Sequence, residues 1–145
     1  MRDSSNPNKH PDVNLGGNRK WYKVMFYGTL MRGFENARLL FANTDLPPIY
    51  RGNCETVQRF HMTCENFIPY VSKKKEVSTI KGELWEMDSR VLSQVDILEG
   101  HPNWYERSVV ELTNGEKAYL YFNERSRGKH SISDGSYRNH RIRSM

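Results

Sequence analysis

The apolar residues of this chain come in short bursts. Val24-Met-Phe-Tyr27 and Ala118-Tyr-Leu-Tyr-Phe122 are typical, and no run exceeds a few residues. A membrane-spanning helix needs about 20 consecutive apolar residues, so none is expected. The core must instead be assembled from several short elements distant in sequence. With 37% apolar and 12% aromatic residues in 145, there is enough material for one ordinary domain.

The patterning predicts those elements. Tyr22–Tyr27 is an aromatic and β-branched run ending at Gly28, which suits a buried strand. Asn36–Ala42 predicts a short helix with Leu39 and Leu40 facing inward. Tyr50–Thr63 reads as extended, Lys73-Lys74-Lys75 as a solvated loop tip, and Val77–Met87 as a strand with a bend or bulge at Gly82. Asp88 is a suitable N-cap, and Val91, Leu92, Val95 and Leu98 then recur at helical spacing up to Gly100 and Pro102. Ser108–Leu112 and Lys117–Phe122 form a hairpin around Asn114-Gly115. Five or six strands and two short helices make an α+β domain with a mixed or barrel-like sheet.

The ends differ from this middle. Residues 1–20 are rich in Asn, Ser, Pro, Gly and Lys and read as a flexible tail. The domain is placed at 21–123. Residues 124–145 form a basic C-terminal segment, partly packed or flexible, with Ile132, Tyr137 and Ile142 as isolated apolar points. The net charge of +5 sits at these ends. Residues 1–23 carry five basic and two acidic residues, and 124–145 carry six and two; 24–123 carry eleven and thirteen, a net of −2. The basic excess therefore says little about chemistry in the middle.

Three places carry candidate chemistry. Tyr27-Gly28-Thr29-Leu30 closes the first strand, and a strand that stops at glycine and turns exposes consecutive N–H groups suited to a carboxylate. Gly33 and Asn36 follow closely. Glu99 ends the amphipathic helix beside its buried stripe, where burial would raise its pKa toward the range useful for proton transfer. Asp96 is either a second carboxylate or a polar-face residue. Tyr105 and Arg107 lie two apart and share a face in extended conformation, where they could flank a small anion. The histidines show no metal-ligand spacing, and neither Cys54 nor Cys64 has the context of a nucleophile. No metal or cofactor is expected. The polar N-terminus lacks a secretory apolar segment, and the cysteine usage points to a reducing, cytoplasmic setting.

Taken in order, Tyr27-Gly28-Thr29-Leu30, Gly33, Asn36, Gly82-Glu83-Leu84-Trp85, Asp96-Ile97-Leu98-Glu99-Gly100, Tyr105 and Arg107 form a series. That series resembles the γ-glutamylcyclotransferase-like, or AIG2-like, superfamily. It is most similar to the γ-glutamylamine cyclotransferase branch. Asp134-Gly135-Ser136-Tyr137-Arg138 is similar to a degraded form of the family's usual ending. The resemblance implies a small mixed β-barrel flanked by short helices. It also implies cyclisation of a γ-glutamyl compound to 5-oxoproline with release of an amine, without metal or cofactor. Glu99 aligns with the family's catalytic glutamate. Tyr27, Gly28, Thr29, Leu30 and Tyr105 would bind substrate, with Asn36 and Arg107 as further candidates. The alternative is a non-catalytic binding module on the same fold, whose basic tails contact nucleic acid or an acidic protein partner.

Overall fold

A computed structural model describes residues 12–14, 20–126 and 128–144. Strand β1 (Asp12–Asn14) precedes β2 (Lys20–Phe26), a short 3-10 helix (Ala37–Phe41), β3 (Ile49–Glu65), β4 (Ile68–Ser72) and β5 (Ser78–Asp88). Helix α1 (Ser89–Glu99), β6 (Glu106–Glu111), β7 (Lys117–Phe122), β8 (His130–Ser131) and α2 (Tyr137–Arg143) complete the chain. The sheet runs β4-β3-β5-β2-β7-β6, with β1 added to β2 and β8 to β3. All pairings are antiparallel except β2 with β7.

The sheet is curled into an incompletely closed barrel. Strand β3, 17 residues long, spends its first part on β5 and its last five residues on β4. Irregularities in its pairing between Tyr50 and Gly52, and between Glu55 and Arg59, let it bend. The far edges are drawn together: Thr56 bridges Leu112, and Asn123 N donates to Val71 O at 2.9 Å. Val24, Met25, Met62, Val71, Ile80, Met87 and Leu120 fill the interior, each essentially inaccessible.

Gly82 has a different role from the bend expected of it. A Cβ there would stand 2.1 Å from Phe26 O, so the glycine allows β2 and β5 to approach. Asp88 caps α1 as expected, its side chain accepting from Val91 N at 3.0 Å. The helix ends at Gly100 with φ 67°, the left-handed closure that glycine permits. Val91, Leu92 and Val95 are buried, worth about 1.5–3 kcal/mol each. Leu98, expected inward, is 49% exposed. The stripe turns so that Glu99, four residues after Val95, continues it. Likewise Leu40 is buried while Leu39 is exposed, because a 3-10 turn places neighbouring residues on different faces.

The ends also differ from the sequence reading. Asp12–Asn14 pairs with β2, although it falls within the segment read as a tail. The rest of that expectation, residues 1–11 and 15–19, lies outside the described residues. At the other end, Ile132 and Tyr137 are core residues. Several basic groups there are turned to packing: Lys129 pairs with Glu65, Arg138 with Glu83, Arg141 with Glu35 and Arg143 with Asp134. Isolated apolar residues among charges gave no periodic signal, and only the neighbouring sheet reveals what they cover.

Candidate active site

A cleft of about 290 Å³ opens between the end of β2, the β3–β4 turn and the C-terminal end of α1. Tyr27, Gly28, Thr29, Leu30, Asn36, Glu99 and Tyr105 all line it. These are seven of the eight residues singled out from sequence, drawn from three separated segments. Arg107 is not among the lining residues. Its Nε donates to Asp96 Oδ1 at 2.9 Å, its Nη2 to Asp96 Oδ2 at 3.1 Å, and its guanidinium lies 4.4 Å from the Tyr119 ring centre. Strand alternation put Tyr105 and Arg107 on one side, but the partners of Arg107 hold its head away from the cleft.

The loop after β2 is fixed by its own bonds. Met31 N donates to Gly28 O, Asn36 N to Thr29 O, and Asn36 Nδ2 to Thr29 Oγ1 at 2.8 Å. The N–H groups of Thr29 and Leu30 meet no protein acceptor among the described residues. They are the donors that an anion would use. Gly28 faces Pro69 across the cleft, where a Cβ would come within 2.8 Å of the proline Cγ. Glycine at 28 is therefore required by close approach, since its φ is not in the left-handed region.

Three tyrosines wall the cleft, and each hydroxyl is committed as a donor. Tyr27 donates to Tyr121 O at 2.7 Å, Tyr105 to Pro69 O at 2.8 Å and Tyr121 to Asp96 Oδ1 at 2.5 Å. Burial first, with the Glu99 carboxylate among the further causes, raises the pKa of all three. They stay neutral across the physiological range.

Glu99 is different. Its side chain makes no hydrogen bond among the described residues. It keeps partial exposure to the cleft, yet the protein packed around it removes much of its hydration. That burial, followed by the nearby Asp96 charge, pushes its carboxyl up to about 7. Such a group exchanges a proton readily at neutral pH.

Sequence reasoning missed Asn66, Phe67, Ile68 and Pro69, which form the opposite wall, and Glu35 and Tyr121. Asn66 and Phe67 both have positive φ, 53° and 60°, within a two-residue hairpin turn joining Glu65 to Ile68. Asn66 was a usable turn signal. Nothing local said that this turn would face Gly28. Among the described residues, no group of three or more His, Cys, Asp or Glu could hold a metal ion.

The family described as gamma-glutamyl cyclotransferase, AIG2-like, matches residues 24–139. The chain belongs to that family. Its match extends through Tyr137 and Arg138, into the segment that looked like a tail. A protein of Methanocaldococcus jannaschii, provisionally named a gamma-glutamylcyclotransferase, is 35% identical over 122 residues, covering 81% of this chain and 97% of that protein. The gamma-glutamylaminecyclotransferase of Rattus norvegicus is 28% identical over 92 residues, covering 61% and 62%. In fold, the chain is similar to the crystal structure of an AIG2-like protein from Mus musculus, with TM-score 0.68 and 23% identity over 79% of this chain and 86% of that one. The AIG2-like fold thus accounts for the curled mixed sheet with its two helices. No helix among the described residues is long and apolar enough to cross a membrane.

Proposed function

We propose that this AIG2-like protein cyclises a γ-glutamyl compound to 5-oxoproline and releases the attached amine, with Glu99 as the proton carrier. The observation that carries the reading is the place of Glu99: a half-buried carboxyl, without a hydrogen-bond partner among the described residues, lining the same cleft as Thr29 and Leu30, whose N–H groups meet no acceptor there.

The substrate's α-carboxylate rests on the Thr29 and Leu30 N–H groups. Its α-amine then faces its own γ-carbonyl. As the nitrogen attacks the carbonyl carbon, a C–N bond forms and Glu99 takes the amine proton. A tetrahedral oxyanion results. It collapses with cleavage of the original γ-amide bond, and Glu99 returns the proton to the departing amine. Atoms and charges balance with one carboxylate acting first as base and then as acid. Holding the folded-back conformer turns the attack into an oriented intramolecular step, which in favourable cases lowers the barrier by several kcal/mol. Phe67, Ile68 and Leu98 line the cleft and are each about half exposed, providing apolar surface for the leaving amine.

Cys54 and Cys64 are free thiols, which supports a reducing, cytoplasmic setting. Burial pushes Cys54 up to about 12, so it is no nucleophile. The test is release of 5-oxoproline from γ-glutamyl amino acids, γ-glutamyl-ε-lysine and glutathione. Product from at least one, lost in Glu99→Gln, is expected. No product from any of them, or full activity in Glu99→Gln, overturns the reading.

A further inference from the structure

The C-terminal helix reaches residues that line the cleft through Tyr137 and Arg141. Arg141 Nη1 donates to both oxygens of Glu35, at 3.0 and 3.3 Å, and to the Tyr137 hydroxyl at 2.8 Å. Its guanidinium lies 5.1 Å from the Phe34 ring centre and 5.0 Å from that of Phe67. Tyr137 in turn donates to Phe67 O at 2.6 Å, at the turn where both residues have positive φ. Arg138 covers Phe34 as well, at 4.8 Å. One guanidinium thus joins the glycine loop, the β3–β4 turn and α2.

The charges at the cleft give this contact its meaning. Among the described residues that line it there is no Lys, Arg or His, and the charged ones are Glu35 and Glu99. Glu35 is next to Asn36, whose N–H and amide hold Thr29. A carboxylate therefore stands beside the very loop whose N–H groups are free to receive an anion. The hydrogen bond from Arg141 holds the Glu35 carboxyl below its usual pKa, so the pair persists as an ion pair. An exposed ion pair alone is weak. Here the two rings and the Tyr137 hydroxyl hold the guanidinium in one place without further ordering.

We propose that Arg141 is a positioning residue for the substrate: it neutralises Glu35 and so lets an anionic γ-glutamyl group settle on the glycine loop. This rests on the function proposed above. Arg141 touches neither the reacting atoms nor Glu99. Its removal acts on binding of substrate and transition state alike, which is read as KM.

The experiment is steady-state kinetics on the full chain with whichever γ-glutamyl compound the wild type turns over. Arg141→Met keeps much of the packing on Phe34 and Phe67 but loses the charge. It should raise KM about tenfold, with kcat within about threefold and the limb of the pH profile near 7 unmoved. Adding Glu35→Gln to Arg141→Met should return KM to within about threefold of wild type, a rescue that a packing role would not produce. Glu35→Gln alone should lower KM, a readout that survives if Arg141→Met does not fold. An unchanged KM in Arg141→Met, a fall in kcat in place of a rise in KM, no rescue by Glu35→Gln, or a KM that stays or rises in Glu35→Gln alone would each overturn the inference. If the wild type makes no 5-oxoproline at all, the functional reading fails; if it does and these variants behave otherwise than stated, only the role of Arg141 fails.

Discussion

Two carboxylates, Glu83 and Glu99, are withdrawn from water near the loop that follows β2, and they are treated in opposite ways. Glu83 is 1% exposed and fully partnered. Its Oε1 accepts from Arg32 N at 2.9 Å and Trp85 Nε1 at 3.2 Å, and its Oε2 from Arg32 Nε at 3.3 Å and Arg138 Nη2 at 3.2 Å. Glu99 has no such donors among the described residues, and burial, followed by the nearby Asp96 charge, pushes its carboxyl up to about 7. A buried carboxylate that is fully hydrogen-bonded anchors chain segments to one another. One that is buried without donors binds a proton instead and becomes available for chemistry. The Glu83 hub ties the glycine loop to α2; the Glu99 cleft uses the loop so fixed.

The contrast breaks first at Glu99. Glu99→Gln should reduce 5-oxoproline formation at least about 100-fold, the usual range for loss of a positioned acid–base group. In the wild type, kcat/KM should fall about tenfold per pH unit below about 7, where the base is protonated. Stability should respond with the opposite sense. The folded pKa of Glu99 is above the ordinary 4.5, so the stability it contributes is full below about 4.5 and is lost as pH rises through about 7. Glu99→Gln should then be more stable than wild type at pH 8 by about 2 kcal/mol, somewhat less than the full shift implies because cleft water screens the charge. A melting series at pH 5 and pH 8 reads this, and a variant less stable at pH 8 would refute it.

Glu83→Gln should do the reverse. It removes a charge on which two arginines depend, and urea denaturation should show a loss of about 1–3 kcal/mol. The half-exposed arginine heads keep the cost below that of a wholly buried pair. Stability equal to wild type would remove Glu83 as an anchor. Gly28→Ala probes the passage between the two regions. The added Cβ meets the Pro69 ring, and kcat/KM should drop about tenfold as the loop shifts. Asp96→Asn has the smallest effect. It deletes the second cause of the Glu99 shift, so the acid limb of the pH profile should move to lower pH. A limb that stays in place would mean that burial alone sets Glu99.

Much of this was legible locally. A capping Asp88, a left-handed Gly100, an Asn114-Gly115 hairpin and the strand ending at Gly28 are all determined by neighbours in the chain. Tyr27–Leu30, Asn36, Glu99 and Tyr105 line one cleft, and each sits near the end of an element that a turn or cap defines, which is why local pattern could single them out. Leu98 went wrong because the end of a short helix can shift its buried stripe by one residue, which brought Glu99 inward and sent Leu98 out. Arg107 lies outside the cleft lining because alternation fixes a face and not a partner, and Asp96 takes its head.

What the sequence alone determined was the set of elements and the order of the chemical groups. What the tertiary structure decided was their company. The wall made by Asn66–Pro69, the gap that requires Gly28, the four donors on Glu83 and the reach of Arg141 to Glu35 all join segments far apart along the chain. Hydrogen bonds and burial at such separations depend on the curl of the sheet, and no local pattern encodes that curl residue by residue. The short apolar bursts therefore foretold many small elements around one core, while the proton affinity of Glu99 came into being only when those elements closed over it.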